Sequence, residues 1–458
     1  MLLSELAQII GGSLVGADVA FDEISTDSRT LPPGTLFVAL SGERFDGHDY
    51  VVAVQAQGAV AALVERACAV DLPLLVVDST RLALGRYGAW RRTLNAPKVA
   101  GVTGSNGKTT VKEMIAAVLA GVAPVHKTQG NLNNDLGVPL TLLQLQPEHA
   151  YAVIEMGANH TGEIAYSGSL ARPDVAVITN AGVAHLEGFG GRDQVAAAKG
   201  ELLGTLGERG VAVLNADDEY IALWRQQAAA RKIITFGFSA DADVRGLSES
   251  VQVSVDGDEF RTHCSYRYRE HNRNLTLSLA GRHNVVNALA ATAACLALDV
   301  SLGQIEKALA ELKPVHGRME PAPAFNGALL IDDTYNANPS SLAAALDVMA
   351  ELPGERWVAL GAFAELGEHS AALHAEIGLL LRNKGVTRLY ASGQNCEHAV
   401  AAFGAGAVHC QSQGELIALL KQSLICDSVL LVKGSRSQNM ERVVEALRSQ
   451  TRRKIACC

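Results

Sequence analysis

The stretch Gly104-Ser105-Asn106-Gly107-Lys108-Thr109-Thr110 constrains this chain more than any other. It follows a short apolar run, Val99-Ala100-Gly101-Val102. It precedes a helical pattern with apolar residues at Val111, Met114, Ile115, Val118 and Leu119. Strand, glycine loop and helix in that order form a phosphate-binding loop, whose backbone N–H groups turn inward around a polyphosphate. Glycine permits the turn because it adopts backbone angles closed to other residues. Lys108 can then reach the outer phosphates, and the Thr109 hydroxyl can join a Mg²⁺ shell. The reading is use of ATP or GTP. The strict pattern places a glycine where Val102 stands, so an incidental glycine turn is the competing reading. The strand before and the helix after favour the phosphate loop.

Around that loop the chain reads as α/β. Apolar runs at 151–154, 175–178 and 211–214 alternate with helical stretches, which predicts a largely parallel, doubly wound sheet. Val251, Val253 and Val255 alternate with polar residues before Asp256-Gly257, the signature of a hairpin and a small antiparallel appendage. The 458 residues divide into three expected domains. Residues 1–80 form a small α/β unit, 81–314 the central domain with the phosphate loop, and 315–458 a Rossmann-like α/β unit without such a loop.

The net charge of −9 argues against a general nucleic-acid binder. No apolar run approaches the ~18 residues that span a bilayer. The first residues lack the basic region and apolar core of a signal peptide. The eight cysteines are scattered without metal-binding spacing, as expected of reduced thiols in a cytoplasmic protein. No membrane partner is expected.

Polar residues cluster at the ends of the apolar runs, where α/β proteins place their sites. Glu155 ends the run at 151–154, where an acid downstream of a phosphate loop holds Mg²⁺; the alternative is a helix-start charge. His185 follows the run at 175–179 in a glycine-rich turn and reads as a metal ligand or a structural histidine. Helical periodicity makes Lys199 a solvated lysine. Asn284 and Asn287, at the start of an alanine-rich helix, could cap it or read a base edge. The polar loop 41–50 is either a solvated turn or a ligand surface. Arg318, with Asp332-Asp333-Thr334-Tyr335-Asn336-Ala337-Asn338-Pro339, suits phosphate and ribose contacts; the alternative is a polar turn with an Asn-Pro stop. Lys433-Gly434-Ser435-Arg436 suits an anionic substrate.

Taken together these motifs resemble the Mur ligases of peptidoglycan synthesis, nearly end to end. The likeness rests on 103–110, Gly130-Asn131-Leu132-Asn133-Asn134, Glu155-Met156-Gly157-Ala158-Asn159-His160 and Asn180-Ala181-Gly182-Val183-Ala184-His185-Leu186. It also rests on Ala198-Lys199-Gly200-Glu201, 333–339 and 433–437. Tyr335-Asn336-Ala337-Asn338-Pro339 points to the branch that adds D-alanyl-D-alanine, and the Asp-Asn-Pro-Arg motif of the diaminoacid-adding branch is missing.

The resemblance implies that ATP phosphorylates the terminal carboxylate of UDP-N-acetylmuramoyl-tripeptide, and that the amine of D-Ala-D-Ala displaces the phosphate. It implies two Mg²⁺ ions, with Thr109 and Glu155 as ligands, His185 on the second ion, and Lys199 carbamylated beside it. Lys108 and Arg318 would offset phosphate charge. Asn284 and Asn287 would contact adenine, and Asp333 the ribose. Tyr335 and Asn336 would lie near the reacting phosphate. Ser28, Arg29, Arg44, Asp46 and His48 would hold the uridine end. Asn131, Asn133, Asn134, Lys433, Ser435 and Arg436 would serve the substrates. A monomer is expected. One departure stands out: Gly361-Ala362-Phe363 replaces a common Gly-Asp-Met. A sister amide ligase, a folylpolyglutamate synthase and a nucleotide switch without ligase chemistry are the alternatives. A GTPase-type base reader is not found, since Asn383-Lys384-Gly385-Val386 lacks the aspartate.

Overall fold

Apolar runs bounded by glycine and polar turns fold into the strands of three large sheets. A computed structural model describes residues 1–42, 45–182, 189–256, 259–364 and 366–449. In the central sheet six parallel strands lie side by side. Their order is Lys232–Gly237, Val211–Asn215, Val175–Ile178, Lys98–Thr103, Tyr151–Glu155 and Val125–Lys127. Helices cover both faces, so these strands are almost continuously apolar, and Val175–Ile178 is buried throughout. On one side of Lys98–Thr103 lie Val175–Ile178 and the strands that follow it, and on the other Tyr151–Glu155 and then Val125–Lys127. Such a reversal opens a crevice at the carboxyl ends of the strands, and the phosphate loop leaves from there.

The expected hairpin is present: Gln252–Asp256 pairs with Glu259–Tyr268, and His271–Leu277 adds a third strand. It is not a separate appendage. Glu259–Tyr268 also pairs antiparallel with Val244–Gly246, which pairs parallel with Lys232–Gly237, so the central sheet continues into it. The driving force is burial of Phe260, Cys264 and Tyr266 along one face.

Residues before the phosphate loop form a five-stranded sheet with Thr35–Val38 near its middle. The helix Thr80–Asn95 joins it to the central domain. Ser79 starts that helix, its Oγ accepting from Leu82 N at 3.3 Å. Ala83, Leu84 and Tyr87 complete an apolar core with Leu3, Leu6 and Ile10, and Leu136, Leu140 and Leu143 pack against it. Burying one leucine such as Leu84 stabilises by about 2 kcal/mol. The joint is therefore shared core rather than linker.

The last sheet has six strands, all parallel except Glu320–Pro323 at its edge. Asn338-Pro339 does not stop a helix here; it opens one, Pro339–Ala350. Asn338 Oδ1 accepts from Ser341 N at 2.8 Å, and proline at the first helical position sacrifices no hydrogen bond. The six cysteines among the described residues are all free thiols, and no described helix is long and apolar enough to cross a membrane.

Candidate active site

The loop Gly104–Gly107 links the strand Lys98–Thr103 to the helix Lys108–Ala120. Gly104 has φ +144°, and a Cβ there would lie 1.9 Å from Thr179 Oγ1. Gly107 has φ +80°, and a Cβ would meet Asn287 Oδ1 at 2.3 Å. Both positions exclude side chains, which brings the backbone close to any phosphate. Val102 is wholly buried in the strand core, so the glycine of the strict pattern is replaced by Gly104 two residues later. The loop is held from below: Asn180 Oδ1 accepts from Asn106 N at 2.9 Å, and Thr179 Oγ1 donates to Asn106 O at 2.6 Å.

Lys108 Nζ donates to Gly104 O at 2.7 Å and Ser105 O at 3.2 Å, curled over its own loop. Burial pulls its pKa below the ordinary lysine value, with Arg318 adding repulsion and Glu155 opposing. Thr109 Oγ1 lies 3.2 Å from Glu155 Oε1, which also accepts from Asn133 Nδ2 at 2.8 Å. Glu155 is 2% exposed, and its Oε2 is buried without a hydrogen bond. A hydroxyl beside a buried carboxylate with one oxygen free of hydrogen bonds suits a hard divalent cation, so the residues present fit Mg²⁺.

Sequence reasoning missed Lys112. It is 1% exposed, donates to Thr128 O at 2.9 Å, and lies 3.6 Å from Glu155 Oε2 and 3.2 Å from Glu113 Oε1. Its position one turn after Lys108 on the same helix was the available signal.

Lys199 overturns its helical-periodicity reading as a solvated lysine. It is 2% exposed on the helix Arg192–Gly204, and its Nζ lies 5.4 Å from the Phe189 ring centroid. Burial, reinforced by Lys108, lowers its pKa to about 7, against the pull of Glu163 and Glu201. At neutral pH much of it is therefore the neutral amine that carbamate formation needs. His185 lies outside the described residues.

A cavity of about 300 Å³ lies between the central and C-terminal domains. Asn106, Gly107, Thr110, Asn284, Asn287, Arg318 and Asp333 line it, joining expected residues from both sides. The capping alternative for the two asparagines fails. Gly281 caps the helix Arg282–Ala297, while Asn284 Nδ2 donates to Ala280 O and Asn287 Nδ2 to Asn284 Oδ1. Arg318 Nη2 donates to Thr109 Oγ1 at 2.9 Å, and its guanidinium lies 4.2 Å from the Tyr335 ring centroid. Asn106 meets Asn338 Nδ2 and Ser340 Oγ, each at 2.8 Å. Ser340 and the reach of Asn338 across the domain boundary were not foreseen; the spacing of residues so far apart in the chain carries no local signal.

Lys433 is 1% exposed. Its Nζ reaches Asp333 Oδ2 at 2.5 Å and Asn336 O at 3.0 Å, so it clamps the Asp333–Asn336 turn. Ser435 Oγ accepts from Ala364 N at 2.7 Å, while Arg436 is exposed beside Glu441. Asn134 Oδ1 accepts from Gly137 N, and Asn131 is exposed. Near the N-terminus, Arg29 forks onto Asp27, and Ser28 adjoins it. The loop 41–50 is a short hairpin and a 3₁₀ turn. Asp46 binds Arg66 Nη2 and His48 Nδ1 at 2.6 Å each. His48 Nε2 accepts from Glu65 N, which fixes its Nδ1 as the protonated nitrogen. Arg44 lies outside the described residues. At the departure from the common pattern, Phe363 is buried against His374, whose Nε2 accepts from Phe363 N at 3.1 Å.

Three family models match in succession: the Mur ligase family catalytic domain over residues 20–127, the Mur ligase middle domain over 102–295, and the Mur ligase glutamate ligase domain over 317–436. The UDP-N-acetylmuramoyl-tripeptide--D-alanyl-D-alanine ligase of Escherichia coli (strain K12) is 44% identical, over 97% of this chain and 98% of its own. A crystal structure of MurF from Acinetobacter baumannii superposes with a TM-score of 0.89 at 38% identity, covering 97% of both chains. The MurF ligase of Thermotoga maritima in complex with ADP gives a TM-score of 0.83 at 29% identity, over 93% of this chain and 96% of that one. With a phosphate-loop motif facing a cavity shared by two domains, and with these full-length matches, the chain belongs to the Mur ligase family.

Proposed function

We propose that this protein joins D-alanyl-D-alanine to UDP-N-acetylmuramoyl-tripeptide at the expense of ATP, as the names of its relatives state for them. The observation that carries the reading is the cavity where Gly107 and Asn287 of one domain face Arg318 and Asp333 of the next. The proposed domain limits are 1–80, 81–314 and 315–458.

In the first step an oxygen of the tripeptide carboxylate attacks the γ-phosphorus of ATP, and ADP leaves. The acyl phosphate that results is attacked at carbon by the dipeptide amine. The tetrahedral intermediate loses a proton and expels inorganic phosphate. Lys108 swings from its loop carbonyls onto the outer phosphates, and Arg318 offers a second cation from the opposite domain. Asn133 orients Glu155. Thr109 and Glu155 would hold Mg²⁺, which would supply charge neutralisation at the phosphates. A carbamate on Lys199, with His185, would complete a second metal position; the lowered lysine pKa supports it. The enzyme is proposed to act as a cytoplasmic monomer.

A phosphate-release assay with each UDP-muramoyl-peptide in turn tests the assignment. Turnover should require the tripeptide form and D-Ala-D-Ala together. Faster turnover with single amino acids than with the dipeptide would overturn it.

A further inference from the structure

In a chain of net charge −9, four basic residues gathered around a single acid run against the overall balance. They gather in a cavity of about 320 Å³ whose lining includes Lys232, Arg245, Arg267, Arg269, Tyr268 and Asp243. This cavity shares no lining residue with the nucleotide cavity. It lies by the first residues of the strand Lys232–Gly237, whereas the phosphate loop leaves the carboxyl end of a strand in the same parallel set.

Arg245 and Arg267 stand directly opposite each other on paired antiparallel strands. Like charges in that register repel. Among the described residues no carboxylate pairs with Lys232, Arg245 or Arg267. Arg245 Nε is buried without a hydrogen-bond partner. Asp243, the acid in the lining, commits its Oδ2 to Thr235 N and Oγ1, at 2.8 Å each. Arg269 lies over the Tyr268 ring at 5.1 Å, which keeps a further cation at the rim.

We infer that this groove is a second anion site, built for a phosphate group carried by a small molecule or a lipid headgroup. A phosphate between the two guanidinium groups cancels their repulsion and gives Arg245 Nε its acceptor. The volume is at the small end of ligand pockets, which suits one phosphate or diphosphate on a small body.

The test uses the full chain saturated with ADP in Mg²⁺-free buffer, so that the phosphate loop is filled, with inorganic pyrophosphate as the probe. Calorimetry should show one further saturable site. Arg245→Gln with Arg267→Gln should weaken that site at least ~10-fold while leaving ADP affinity unchanged. Arg267→Gln alone should raise the melting temperature of the unliganded chain, because the repelling pair is gone. Sedimentation with phosphatidylglycerol vesicles, against phosphatidylcholine controls, identifies the source: binding lost in the double variant assigns the phosphate to a headgroup, and a calorimetric site alone assigns it to a soluble molecule. If wild type binds neither probe, or the double variant binds both as wild type does, the inference is wrong.

Discussion

Replacing Lys199 by Met removes an ammonium group that the fold must desolvate. Lys199 is 2% exposed, and burial, with Lys108 adding repulsion, takes its pKa from 10.5 to about 7. At about 1.36 kcal/mol per decade, that gap costs the folded chain roughly 5 kcal/mol while the lysine is charged. The folded value lies below the unfolded one. The cost is therefore full below pH about 7, shrinks as pH rises towards 10.5, and is gone above it. Between pH 6 and pH 9 it falls from roughly 5 to roughly 2 kcal/mol. Wild type without nucleotide, in CO₂-free buffer, should gain roughly 3 kcal/mol over that range, several degrees of melting temperature for a domain of this size. Lys199→Met should be the more stable protein at pH 6 and should lack that rise. Thermal melts of both proteins at a series of pH values read the difference. The same residue carries a second, kinetic test. Lys199→Ala should lose most turnover and regain part of it with acetate or formate, whereas Lys199→Arg should not recover. Parallel pH curves for wild type and Lys199→Met would refute the burial argument, and a fully active Lys199→Ala would refute the carbamate.

Lys108→Ala should abolish ATP-dependent turnover, since it removes the ammonium that rests on the phosphate-loop carbonyls of Gly104 and Ser105; residual activity within tenfold of wild type counts against its phosphate role. Gly107→Ala combines a positive φ with a 2.3 Å approach to Asn287 Oδ1, so ADP affinity measured by calorimetry should fall at least ~10-fold through displacement of the loop or the asparagine. Asn106→Ala removes both side-chain bonds to Asn338 and Ser340 across the nucleotide cavity. The unliganded variant should then show a larger radius of gyration by small-angle scattering, and an ATP analogue with the UDP-tripeptide should compact wild type more than the variant. Identical scattering profiles would show that these bonds do not hold the two domains together.

The phosphate loop, the parallel strands around it and the hairpin at 252–268 were legible in the sequence because their causes are local. Glycines at 104 and 107 answer to backbone angles and to neighbours that meet the loop wherever such a loop forms. Alternating or continuous apolar residues report how many faces of a strand are covered. Lys199 shows where that reasoning stops. Its helix has the periodicity of a solvated surface, yet it is 2% exposed beside the Phe189 ring, with Lys108 near enough to repel its charge. Lys112 passed unnoticed on the same grounds, since the Thr128 carbonyl and the Glu155 carboxylate that receive it come from other strands and loops. Arg318 was expected to face phosphate, but its bond to Thr109 spans 209 positions of sequence and exists only because the last sheet docks against the phosphate loop. The hairpin itself was visible, whereas its merger with the central sheet, and with it the facing pair Arg245 and Arg267, depends on which strand edge Glu259–Tyr268 finds. Backbone conformation and hydrophobic period are set by neighbours in the chain; burial and the electrostatic field at a side chain are set by neighbours in space, which only the packed structure supplies.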